Sequence, residues 1–151
     1  MIDAVQLFED YANLKGWKFS YGERVFQDWA MKNTDFTDGD NILVMFPVIY
    51  TGNASDTTIL DNWNGATKFW LGRKFDNTAE SGTYSNLDET ETQKFNRRLK
   101  TMQGLLSTMI KEVFCGEEIE LQSARMYREL NVTTENIDFV TLEISFLDPY
   151  A

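Results

Sequence analysis

The feature that most constrains the fold of this chain is a long run of helical periodicity in its second half. Large apolar residues recur there at intervals of four and three positions: Phe95, Leu99, Met102, Leu106, Met109 and Val113. This spacing places all six on one stripe of a single α-helix, and Gly116 is a suitable residue to end it. A helix over residues 87–115 would be about 43 Å long, whereas a domain of 151 residues has a radius of gyration of about 15 Å. We therefore expect this helix to run the whole length of the domain.

A second, shorter helix is predicted at the N-terminus, over residues 3–15. Asp3 is a favourable N-cap residue, Phe8 and Ala12 recur at helical spacing, and Gly16 follows as a helix stop. This helix also has one apolar face, so both helices need a common surface to pack against.

Strands are predicted where apolar and polar residues alternate. The clearest alternation runs from Val140 to Phe146 and predicts one buried and one wet face. In the apolar run Ile42–Tyr50, Pro47 requires an edge or a bulge. The remaining predicted strands are Trp17–Tyr21, Ile59–Phe75 with a hairpin signal at Asn64-Gly65, and residues 119–127 with a bulge near Ala124.

The resulting order, α-β-β-β-α-β-β, predicts an α+β fold in which a mostly antiparallel sheet carries two helices packed on one face. The sequence shows no internal repeat, linker or low-complexity tract. We therefore expect one domain over residues 1–151, with an extended loop and hairpin segment at 51–86.

Two of the strands are apolar on both faces, which is unusual for a sheet covered on one side. Ile42–Phe46 and Phe69–Leu71 have no polar face to present to water. Either the sheet closes into a barrel or another subunit covers the second face, because an exposed contiguous apolar patch marks an interaction site. We expect this apolar surface to be exposed to solvent in a single copy of the chain.

The residue types needed for most enzyme sites are missing. The chain has no histidine, and Cys115 is its single cysteine, so His-based triads and zinc sites are excluded. No phosphate-binding glycine motif occurs. We expect no enzyme activity, no cofactor and no metal. A carboxylate-dependent hydrolase is the remaining catalytic alternative, but Glu117, Glu118 and Glu120 are more typical of solvated charge.

Charge is unevenly distributed along the chain, whose net charge is −10. Residues 1–66 carry 4 basic and 10 acidic groups, residues 67–111 carry 8 and 5, and residues 112–151 carry 2 and 9. The excess of acid disfavours specific binding to nucleic acid, which depends on Lys and Arg. A basic middle between acidic ends can be neutralised within the fold, or it can attract copies of the protein head to tail.

Eight residues are candidates for a subunit interface. Six are basic and lie on or near the long helix: Lys94, Arg97, Arg98, Lys100, Arg73 and Lys74. They could contact an acidic surface of another subunit or pair with acidic neighbours on the same helix. The other two, Trp63 and Trp70, flank Asn64-Gly65 and would be either core residues or anchors at a hairpin tip.

The whole layout resembles a known family. The likeness rests on the element order and on four segments: Phe46-Pro47-Val48, Asn62-Trp63-Asn64-Gly65, Phe95-Asn96-Arg97-Arg98-Leu99 and Phe139–Ile144. In these features the chain is similar to tail-terminator and head–tail connector proteins of tailed bacteriophages. The likeness is greatest to ring proteins in the neck of crAss-like phages.

This resemblance implies a homo-oligomeric ring that stacks between portal, neck and tail proteins in the virion and is assembled in the bacterial cytoplasm. DNA would pass through its lumen without specific binding, and no membrane would be involved. The alternative is a domain that binds a small molecule or peptide in a cavity lined by Trp17, Phe19, Tyr50 and Trp70.

Overall fold

A computed structural model of the chain describes residues 3–22, 41–52, 63–74, 91–116, 119–129 and 137–148. The helices are α1 (Ala4–Leu14) and α2 (Glu91–Val113). The strands are β1 (Lys18–Tyr21), β2 (Asn41–Met45), β3 (Ile49–Gly52), β4 (Trp63–Lys74), β5 (Glu120–Glu129) and β6 (Ile137–Asp148). The predicted α+β class is confirmed. In the described part of the chain, neither helix is long and apolar enough to cross a membrane.

One sheet contains all the described strands, in the order β1-β2-β4-β6-β5, and β3 pairs with β4 beside β2. β1 is parallel to β2, and every other pairing is antiparallel. β4 and β6 pair along twelve residues and form the centre of the sheet. In β5 the register shifts between Leu121 and Ser123, slightly before the predicted bulge near Ala124.

The predicted order lacks one strand because the run 42–50 is interrupted at Pro47. Met45 pairs with Phe69 and Ile49 with Ala66, so four steps along one strand oppose three along β4. The extra residue is a bulge, and Pro47 suits it because proline cannot donate to the ladder. The bulge also reverses the alternation: Met45 faces the helices, whereas Ile49 faces the other side of the sheet.

The predicted hairpin at Asn64-Gly65 is wrong, because both residues lie inside the continuous strand β4. They pair with β3 on one side and with β6 on the other. Gly65 is required here for space and not for a turn: a Cβ on it would lie 2.5 Å from the Phe146 ring. Residues 53–62 and 75–86 of the predicted 51–86 segment lie outside the described residues, as do residues 87–90 of the predicted helix 87–115.

The main core lies between the sheet and both helices. On α1, Asp3 accepts a hydrogen bond from the Val5 N–H at 2.9 Å and Gly16 follows with φ +71°, which confirms the predicted helix to within a residue at each end. The Phe8 ring lies 4.5 Å from that of Phe69 on β4. The α2 stripe is buried on the same face: Leu99, Met102, Leu106, Met109 and Val113.

A second, smaller core lies on the opposite face of the sheet. Ile42, Val44, Trp70 and Phe139 are 0–7% exposed, and Phe46 packs beside them. Thr141, on the face of β6 that was predicted to be wet, is also fully buried. The expectation that a single copy leaves this apolar surface in water is therefore wrong: these residues are already buried within one chain.

The burial of Leu142 in the main core generates a first prediction. Leu142→Ala should lower the free energy of unfolding by about 2–5 kcal/mol, because it removes a fully buried side chain and leaves a cavity. Chemical denaturation measures this loss. The matched control is Leu14→Ala: Leu14 is 81% exposed, and its truncation should change stability by no more than about 0.5 kcal/mol. Equal losses in both variants would contradict the described packing.

A second prediction concerns two glycines whose replacement by alanine should change the stability in opposite directions. Gly65→Ala should destabilise the protein by about 1–3 kcal/mol, because the new methyl group would collide with the buried Phe146 ring. Gly104→Ala should stabilise it by about 0.5–1 kcal/mol, because Gly104 lies in α2 and a Cβ there meets open space. Thermal melting of both variants tests the pair, and a stabilised Gly65→Ala variant would contradict the assigned register.

Candidate functional site

Basic residues gather at one end of the domain. β4 ends at Arg73 and Lys74, and the Arg73 Nε donates to the Asn41 side chain at 2.9 Å at the start of β2. The first half of α2, which carries Lys94, Arg97, Arg98 and Lys100, lies at the same end. Asp138, the register partner of Arg73, also lies at this end, so the charge segregation along the sequence is reproduced only in part in space.

Arg128 fixes the position of α2 relative to the sheet at this basic end. It lies on β5 opposite Val140. Its guanidinium donates to Gln103 Oε1 at 2.8 and 3.1 Å and to Asn96 Oδ1 at 2.8 Å. Lys100 lies between Asn96 and Gln103 on the same side of the helix and is exposed. Lys100 and Arg128 therefore form the exposed part of the basic end.

Only part of the predicted basic cluster is exposed at the protein surface. Arg98 is 3% exposed because it lies one helical turn before Met102, on the buried side of α2. Arg97 is half-buried, and Arg73, Arg97 and Arg98 each have interaction partners within the chain. The side chains of Lys94 and Lys74 lie outside the described residues. Among the predicted basic residues, Lys100 is the exposed one whose side chain is described.

The two predicted tryptophan anchors do not share a surface. Trp63 is half-buried at the first position of β4, opposite Asp148, at the other end of the sheet. Trp70 belongs to the second core, with its ring 4.9 Å from Phe46 and 5.3 Å from Phe139. Because no hairpin tip lies between them, they are not anchors at such a tip, and Trp70 is a core residue, which was the other alternative.

Acidic residues lie at the end opposite the basic one. The end of α2 lies there, as shown by the Phe114 ring, whose centre is 6.2 Å from that of Phe146 near the end of β6. The Tyr50 hydroxyl on β3 donates to Asp148 Oδ2 at 3.5 Å. Burial, followed by the charges of Asp148 and Asp3, raises the pKa of Tyr50 to about 12. We call the region of Asp3, Glu112 and Glu120 the acidic end; Asp148 is only 2% exposed there, and Lys15 and Lys111 are exposed beside Glu112.

Glu112 joins α2 to α1 at this acidic end. Its carboxylate lies 3.1 Å from the Lys15 ammonium group. The hydrogen bond from Tyr11, together with Lys15, lowers the pKa of Glu112. In return, burial and then the bond to Glu112 raise the pKa of Tyr11 to about 12. The pair is solvent-accessible, so its main effect is to orient the helices relative to each other.

A groove of about 460 Å³ lies beside β3 on the face of the sheet away from the helices. Apolar residues from both sides of the Pro47 bulge line it, together with Ala66, Lys68 and Glu143. The aromatic cavity expected from Trp17, Phe19, Tyr50 and Trp70 is not formed. Trp17, Phe19 and Tyr50 contact the main core, whereas Trp70 is on the opposite face.

The sequence reasoning missed Arg128, Lys68 and Glu143. Lys68 could have been noticed, since it is the charged residue between the buried Phe69-Trp70-Leu71 run and the polar start of β4. Arg128 and Glu143 carried no such signal, because their roles depend on strand register. Of the carboxylates considered for hydrolysis, Glu120 is exposed, and Glu117 and Glu118 lie outside the described residues.

No protein-family model matches the chain, and no curated protein matches it.

The tyrosine environments predict a pH dependence. Because the folded-state pKa values of Tyr11 and Tyr50 are raised to about 12, the folded protein keeps two protons that the unfolded chain releases near pH 10. The corresponding stability is present below about pH 10 and is lost as the pH rises through about 12. Ultraviolet titration of tyrosine should show a late step that shrinks in Tyr50→Phe and in Tyr11→Phe. If either variant instead lost a tyrosine from the earlier part of the titration and kept the late step unchanged, this assignment would be contradicted.

Proposed function

We propose that this chain is a structural subunit of an oligomeric ring in the head–tail connector or tail of a tailed bacteriophage. The role is assembly, not catalysis. In this proposal copies of the protein associate head to tail around a channel that conducts DNA, and neighbouring neck, portal or tail rings stack against them.

The observation that carries the proposal is the separation of charge between the two ends of one domain. Lys100 and Arg128 are exposed at the end where α2 begins, whereas Glu112 in the last turn of α2 and Glu120 shortly after it are exposed carboxylates. α2 is about 34 Å long, so these ends are far enough apart to meet different neighbours. A surface with one basic and one acidic end is complementary to a copy of itself in a heterologous contact, and such contacts generate rings when the rotation closes.

The net charge of −10 supports a channel role for a ring of this kind. Sequence-independent binding to nucleic acid depends on phosphate neutralisation by Lys and Arg, and an acidic lumen provides the opposite condition. DNA then passes without adhering, because like charges repel.

We assign the interface in this proposal to polar residues, since Ile42, Val44, Trp70 and Phe139 on the second face of the sheet are already buried within the chain. Charge complementarity fixes the orientation of partners and accelerates their encounter more than it increases affinity. Assembly should therefore depend strongly on ionic strength.

Sedimentation velocity, native mass spectrometry and negative-stain images of the purified full chain test this proposal. We expect closed rings at about 0.1 M salt and their dissociation towards about 1 M, where the screening length falls from about 10 to about 3 Å. A chain that stays monomeric under all conditions, including with neck and tail proteins added, would overturn it.

Charge reversal on α2 provides a sharper prediction. Lys100→Glu should weaken self-association by about tenfold, because it places an acid in the basic end that contacts an acidic neighbour. Lys111→Glu is the matched control, since Lys111 is also exposed on α2, at the other end of the helix. Thermal melting checks that both variants fold. Equal weakening by both would indicate general repulsion and would contradict a head-to-tail contact.

The alternative function, a small-molecule or peptide binding domain, is favoured by one observation. The groove beside β3 has a volume of about 460 Å³, which lies within the usual range for ligand sites.

A further inference from the structure

The groove beside β3 contains two opposite charges that do not pair with each other. Lys68 on β4 and Glu143 on β6 are directly opposite in the antiparallel register, and both line the groove. Opposite charges in such cross-strand positions ordinarily attract each other and stabilise the sheet. Within the described residues, however, no ion pair joins Lys68 to Glu143.

Lys68 lies against two aromatic rings. The Lys68 ammonium group lies 4.4 Å from the centre of the Phe46 ring and 5.6 Å from that of Trp70. Trp70 is buried and packs against Phe46, so these two rings form a fixed support. A cation over aromatic faces keeps its charge and its capacity to donate hydrogen bonds to an anion.

A third aromatic residue, Tyr127, contacts Glu143. The Tyr127 hydroxyl donates to Glu143 Oε1 at 3.0 Å. Arg125 is the register partner of Glu143 on β5, but its guanidinium lies over the Tyr127 ring, 5.4 Å from the ring centre. The carboxylate therefore has remaining acceptor capacity for a further donor.

The wall beside these charges is apolar and exposed. Ile49 is 68% exposed, and Pro47 and Ala66 continue the same surface. This wall has no charged group of its own, so a ligand that covers it must be apolar at that point.

We propose that this groove binds a small apolar zwitterion, such as an amino acid with an apolar side chain or a short apolar peptide. The carboxylate of the ligand pairs with Lys68, its ammonium group pairs with Glu143, and its apolar body covers Pro47, Ile49 and Ala66. This proposal does not depend on ring assembly.

Titration of the ¹⁵N-labelled full chain with leucyl-leucine, followed by NMR, tests this binding. We expect saturable shifts of the amides of Ile49, Lys68 and Glu143. N-acetyl-leucyl-leucine amide has the same apolar body without the two charges and should produce no saturable shift. Equal binding of the two peptides, or no shift in the groove with leucyl-leucine, would overturn the proposal.

Peptides with one charge assign each contact separately. Acetyl-leucyl-leucine keeps only the carboxylate, so Lys68→Met should weaken its binding by about tenfold or more and Glu143→Gln should leave it unchanged. Leucyl-leucine amide keeps only the ammonium group and should show the reverse pattern. Lys18→Met, at an exposed lysine on β1, is the matched control and should affect neither peptide. Identical responses of both peptides to all variants would contradict the assigned contacts.

Discussion

The structure depends on the twelve-residue antiparallel pairing of β4 with β6. Every other described strand is attached to this central pair: β2 and β3 along one side of β4, β5 along the outer side of β6, and β1 beyond β2. Because successive side chains point to opposite faces, the same ladder positions Phe69 and Leu142 under the helices and Trp70 and Thr141 on the other side. Both cores are therefore set by one register.

Periodicity predicted the parts of the fold that depend on one element at a time. The stripe on α2, the cap and stop of α1, and the buried side of β6 each follow from spacing within a single segment. The prediction failed where the answer depended on a second segment. Asn64-Gly65 has the composition of a turn, but its glycine accommodates the Phe146 ring of another strand. The apolar second face was interpreted as exposed because nothing local indicates what buries it.

The candidate sites show the same division. Counting charges along the chain located a basic middle between acidic ends, but it left open whether these charges are neutralised within the fold or face another subunit. It could not separate Arg98, which faces the core, from Lys100, which faces water. The contact of Arg128 with α2 and the approach of Lys68 to Glu143 arise from strand register, which the residue spacing did not determine.

The bulge at Pro47 has an evolutionary consequence. Because of the bulge, the Tyr50 side chain lies on the same face of the sheet as Asp148, and the Ile49 side chain lies on the face that forms the groove. Removing or adding one residue between Met45 and Ile49 would exchange these two assignments, since the side-chain period of a strand is two. Homologous chains should therefore tolerate many substitutions in this connection, whereas its length should be under strong purifying selection.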